Sequence, residues 1–206
     1  MSTVLTTILG AALKSAWSHA WQARVNSKRQ ILLEELSAAK IGMLEVITKD
    51  ELLSCIYQFD VAAMKGAAGY KLKLLARVLR GRIDGGTLIA EEFLSNAEMI
   101  SSLRAQEIKL IATLYRIEQS HLDITDGQLR MSKVMIATCA ALVPKVFETL
   151  DILNSVAVAS QRTGLIIFSN FMAPGAVPDN LFQLSTTTRM GEFAALARFN
   201  TLGIEV

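Results

Sequence analysis

The chain has 206 residues, 51% of them hydrophobic and 19% charged, with a formal net charge of +2. That length can bury a substantial core, and that composition excludes a disordered chain, which is poor in apolar residues and rich in net charge. A charge so near zero implies no polyanionic partner by itself, and an apolar excess made of Ala, Leu, Ile, Val and Met suits helix packing while exceeding what one core needs, as an oligomeric or membrane-facing surface does.

Residues 4–21 repeat in fours: Val4-Leu5, Ile8-Leu9, Ala12-Leu13, Ala16-Trp17, Ala20-Trp21. At about 100° per residue this repeat drifts by roughly 40° each time, so the stripe of Leu5, Leu9, Leu13, Trp17 and Trp21 winds around an amphipathic helix over 1–26. We read it as a candidate interaction surface packing on the remaining chain. The two Trp followed by Arg24, Lys28 and Arg29 leave interfacial membrane contact as the alternative, while Lys14, Ser15, Ser18 and His19 count against a span. The neutral start Met1-Ser2-Thr3-Val4 is unlike a secretory signal, and Cys55 and Cys139, far apart in apolar runs, read as buried reduced thiols; both features point to the cytoplasm.

A helical bundle is predicted over 27–127. Ile31, Leu32, Leu36 and Ala39 recur at helical spacing, with Glu35 and Lys40 read as solvated charges. Thr48-Lys49-Asp50-Glu51 is a capping box that opens a helix through Leu52, Leu53, Ile56 and Phe59. Ala62, Gly66 and Gly69 then form a small-residue packing seam that admits another backbone, or a kink, since the spacing matches no phosphate-loop fingerprint. Over 70–83, Lys73, Arg77 and Arg80 make a basic stripe expected to be exposed, with Leu72, Leu75, Ala76 and Leu79 on the packing side. Asp84-Gly85-Gly86 ends that helix, a shorter one follows through Ile89 and Phe93 with Glu91 and Glu92 exposed, and Ser101 or Ser102 caps another built on Leu103, Ile108, Ile111 and Leu114. His121, Asp123 and Asp126 cluster in the next connection but lack a second His or Cys at ligand spacing, so they read as a turn and a cap rather than a metal site.

Over 128–206 an apolar helix, 129–142, meets Val143-Pro144, and Pro144 is placed in the first turn of a helix over 145–161. Two short strands follow, around Leu165–Phe168 and Leu181–Leu184, joined by a tip holding Pro174, Gly175 and Pro178, and Ser185 to Thr188 cap a last helix, Arg189–Phe199. Arg162, Gly164, Leu165 and Ile166 fit R-x-G-L-I, and Leu184, Ser185 and Gly191 follow the hairpin where L-S/T-x-x-G is expected, with Gly191 six positions after Ser185 instead of three; the whole resembles the latter half of the winged-helix domain of bacterial regulators. The resemblance implies that 145–161 lies where such domains read DNA and that the hairpin is a wing contacting phosphates. The chain departs from the pattern there: that helix offers Lys145, Glu148, Asp151, Asn154, Ser155 and Gln161 in an apolar remainder, and 169–180 holds no Lys or Arg.

Only His19 and His121 supply imidazole, neither with an evident partner, and Glu34-Glu35 and Glu91-Glu92 diverge by about 100° on their helices. The sequence is therefore read as mainly α, a helical bundle with a winged-helix-like C-terminal helix–hairpin–helix unit. Its expected role is a non-enzymatic, self-associating protein-interaction or regulatory protein, with no catalytic, cofactor or metal residues. The alternatives are a membrane-associated accessory protein anchored by its first helix, and a nucleic-acid-binding regulator using the basic stripe or the terminal unit.

Overall fold

The computed structural model describes residues 23, 25–39, 47–170 and 182–197. The winding stripe from Leu5 to Trp21, the hairpin tip 171–181 and the end of the last helix lie outside the described residues. The protein is mainly helical, with one two-stranded antiparallel sheet near its C-terminus. It divides into two compact units between Ser101 and Ser102.

The first unit contains α1 (residues 25–37), α2 (Lys49–Met64), α3 (Gly69–Asp84) and α4 (Ala90–Ser102). Thr48 starts α2: its hydroxyl accepts the Glu51 N–H at 3.3 Å and donates to the Glu51 carboxylate at 2.8 Å. Helix α2 buries Cys55, Phe59 and Ala63, a stripe at i, i+4 and i+8. The string expected to be a close-packing seam instead ends this helix. Gly66, at φ 85°, closes a Schellman turn in which the Gly66 N–H donates to Ala63 O and the Ala67 N–H to Ala62 O. Gly69 then opens α3, and a Cβ there would meet nothing within 4 Å. The small residues Ala62, Gly66 and Gly69 thus serve a tight helix–helix turn, where positive φ matters more than close approach.

Helix α3 is the axis of this unit. It buries Leu72, Leu74, Leu75, Ala76, Val78, Leu79 and Ile83, leaving Lys73, Arg77, Arg80 and Asp84 on one polar strip and Lys71 and Arg82 on the other side. Gly86, at φ 64°, ends it through a second Schellman turn.

The second unit contains α5 (Ala105–Ser120), α6 (Gly127–Leu142), α7 (Leu150–Ser160), a 3-10 turn (Gln161–Thr163), β1 (Ile166–Asn170), β2 (Phe182–Thr186) and α8 (Thr188–Ala197). Ser101 and Ser102 do not cap α5; they finish α4, and Arg104 is the N-cap, its N–H held by the Glu107 carboxylate at 2.6 Å. Asp126 caps α6, its Oδ1 accepting from the Gln128 and Leu129 N–H groups at 2.9 and 3.1 Å.

The helix expected over 145–161 begins only at Leu150. Val143 is extended at φ −111° and ψ 130°, as a residue before proline prefers, and the Val143–Pro144 peptide is cis. Thr149 is the real start signal: its hydroxyl accepts the Ile152 N–H at 3.3 Å, and Asp151 lies in the first turn, where the helix dipole favours an acid.

The strands pair in the register Ile166↔Thr186, Phe168↔Leu184 and Asn170↔Phe182. Ile166 and Leu184 face the core while Ile167 is 52% exposed. Helix α5 packs on α6, α7 and β2, which is why it belongs to this unit although a boundary near 128 was read from the sequence.

Two glycines of the terminal pattern give opposite expectations. Gly164 has φ 68°, and an added Cβ would sit 3.2 Å from Arg189 Nη1, whereas at Gly191, inside α8, it would meet nothing within 4 Å. Chemical denaturation should show Gly164→Ala losing about 1–2 kcal/mol of stability and Gly191→Ala gaining about 0.5–1 kcal/mol.

Candidate functional site

The basic stripe on α3 is not the open cationic face expected. Glu35 on α1 lies over it, with its carboxylate 3.0 Å from Arg77 Nε and 3.7 Å from Arg80 Nη1. Asp84 adds a second acid 3.5 Å from Arg80 Nε. The Arg77 and Arg80 side chains keep only 11% and 14% of their accessible surface, so of the three cations Lys73 alone is exposed. Glu35, read as a solvated charge, is the residue that changes this stripe from a surface into an interhelical tie. Arg29 with Asp60 joins α1 to α2, and Arg82 with Glu92, at 2.6 Å, joins α3 to α4.

In the second unit, Arg162 of the terminal pattern has a structural task. Glu107 is 3% exposed in the first turn of α5. Its two oxygens accept from Arg162 Nη1 at 2.5 Å and Nη2 at 2.8 Å, and the same guanidinium donates to the carbonyls of Ser102, at 2.8 Å, and Ala159. One side chain thereby joins the start of α5 to the end of α7. The Arg162 hydrogen bonds hold the Glu107 carboxyl below its usual range against the opposing effect of burial, helped by the Arg104 N–H and the charges of Arg162 and Arg104. At the other end of α5, Glu118 accepts from the Thr186 N–H at 2.9 Å and from the Thr186 hydroxyl, which seats β2. Thr187 donates to Gly164 O at 2.7 Å while capping α8 at the Met190 N–H, and Gln161 Nε2 donates to Phe168 O at 2.8 Å.

These contacts leave the outer face of α7 as the surface on which the winged-helix resemblance places a reading role. Leu153, Ala157 and Ser160 point inward, and Asp151, Ile152, Ser155, Val158 and Ala159 are exposed. The Ser155 hydroxyl is engaged by Asp151 O at 2.8 Å, and Lys145 and Glu148 precede the helix. The face is apolar with one acid and no cation. Helix α6 likewise exposes Leu129 and Ile136, the latter at 70%.

No family model, curated protein or solved structure matches the chain.

His19 lies outside the described residues. His121 Nδ1 is 2.8 Å from Ile117 O, and Asp126 caps α6. Cys55 is fully buried, and burial, with a smaller push from Glu51, raises its thiol to about 11, which keeps it protonated and poorly nucleophilic. Both cysteines are free thiols, Cys139 being half-buried. Among the described residues no helix is long and apolar enough to cross a membrane.

Because the folded-state pKa of Glu107 is lowered, its stabilisation is full above the unfolded carboxylate pKa, about 4.3, and is lost as pH falls through the folded value. Glu107→Gln should lower stability at pH 7 by about 1–3 kcal/mol, and its stability should fall less steeply than that of the parent protein as pH drops below 4.3. Urea midpoints across that range measure both effects.

Proposed function

We propose that the protein is a non-enzymatic interaction or regulatory module whose winged-helix-like unit contacts protein rather than nucleic acid, and that it self-associates. The observation that supports this most is the outer face of α7, where Ile152 and Val158 are 37% and 51% exposed beside Asp151 and where no cation lies. A duplex-reading helix needs cations to anchor phosphates, while an apolar face of this kind gains from burial against another protein. On α3, Arg77 and Arg80 offer little to a polyanion either, since they face Glu35 and Asp84. A cytoplasmic site belongs to the same proposal and agrees with two free thiols. Membrane association through Trp17 and Trp21 concerns residues outside those described.

Light scattering after size-exclusion chromatography should find the full chain as a dimer or larger, and the double variant Ile152→Glu with Val158→Glu should shift it to a monomer with an unchanged far-UV spectrum. A monomer at every concentration, joined by a shift of duplex DNA at low salt, would overturn the reading.

A further inference from the structure

The second unit holds a groove of about 470 Å³ between the end of α5, the first half of α6, β2 and the start of α8. Its buried floor includes Val134 and Leu184, and Leu122 and Met131 stand exposed at its rim. Gln183 Nε2 donates to the Met131 sulfur at 3.2 Å, which ties the β2 wall to the α6 wall. Two charged groups line it. Glu118 has both oxygens engaged by Thr186. Arg130 is half-buried in the first turn of α6, and among the described residues it has no carboxylate within ion-pair distance.

Arg130 lies four residues after the N-cap Asp126, whose carboxylate is occupied with the Gln128 and Leu129 N–H groups. A cation in the first turn opposes the helix dipole, and partial burial of a guanidinium that meets no carboxylate among the described residues adds a desolvation cost. Both costs fall if an anion enters the groove beside it. Glu118 repels an anion, so a compact dianion is a poor occupant; a single carboxylate that reaches Arg130 and lays an apolar body on Val134, Leu184 and Met131 fits the groove's size and mixed walls. We propose that this groove is a binding site for a small organic monocarboxylate. Because its walls are α5, α6, β2 and the start of α8, an occupant touches both the hairpin and the helices and stabilises the seated hairpin. The proposal stands on the groove alone and does not require the self-association above.

Calorimetric titration of the full chain with octanoate, octan-1-ol and acetate tests it. Octanoate should bind saturably, more tightly than either fragment of its chemistry. Arg130→Gln should weaken octanoate by about tenfold, the worth of one charge-assisted contact, while leaving octan-1-ol unchanged; Arg130→Lys should retain part of the affinity, and Lys133→Gln, on the exposed side of α6, should have no effect. Absence of saturable octanoate binding, or octanoate binding that Arg130→Gln and Lys133→Gln alter equally, overturns the proposal. A thermal melt of each variant separates lost binding from lost fold.

Discussion

A carboxylate taken out of water must be met by donors or it will not stay ionised, and the second unit is organised around meeting one. Glu107 is buried at the start of α5, and the donors come from both sides of the sequence: the Arg104 N–H from its own helix and the Arg162 guanidinium from the turn after α7. Arg162 cannot reach Glu107 unless α7 ends beside the first turn of α5. Its further bonds to Ser102 and Ala159 then fix that geometry, and the hairpin leaves the 3-10 turn from a defined point. Glu118 does for β2 what Glu107 does for α7. A buried pair of this kind adds modestly to net stability, because desolvation offsets most of the attraction; what it supplies is a strong penalty against other arrangements.

The same habit of turning charge inward governs the first unit. On helix α3, Arg77 and Arg80 meet Glu35 of α1, and Asp84 adds a second acid beside Arg80. Ions that look in sequence like a recognition surface are used to hold helices together. On the outer face of α7, by contrast, apolar side chains remain exposed.

Apolar spacing and a capping residue together locate α2 at Thr48, whereas Ser101 and Ser102 misplace the start of α5; the strands and the start of the last helix fall within a few residues of their expected places. Pro144 suits a first turn, but the helix takes its start from the local signal five residues later, the hydroxyl of Thr149 as cap with Asp151 in the first turn. Gly66 and Gly69 were read as a helix face because small residues suit both a seam and a turn, and only the positive φ at Gly66 distinguishes them. Glu35 was invisible because its partners lie 42 and 45 positions away. Glu107 and Glu118 carried a usable signal: with Ile111 and Leu114 they run at i, i+4, i+7 and i+11, so two acids share the apolar stripe of α5. An acid on a packing face announces a buried partner, although the sequence does not say that the partner is Arg162.

The dependence of the second unit on this pair is tested most directly by a double-mutant cycle on unfolding free energy, with Glu107→Gln, Arg162→Gln and both together. The account predicts a coupling of about 1–3 kcal/mol, below the full cost of an isolated buried charge because the Arg162 side chain is 43% accessible. A coupling indistinguishable from zero would contradict it, since the two residues would then be neighbours without holding α5 to α7.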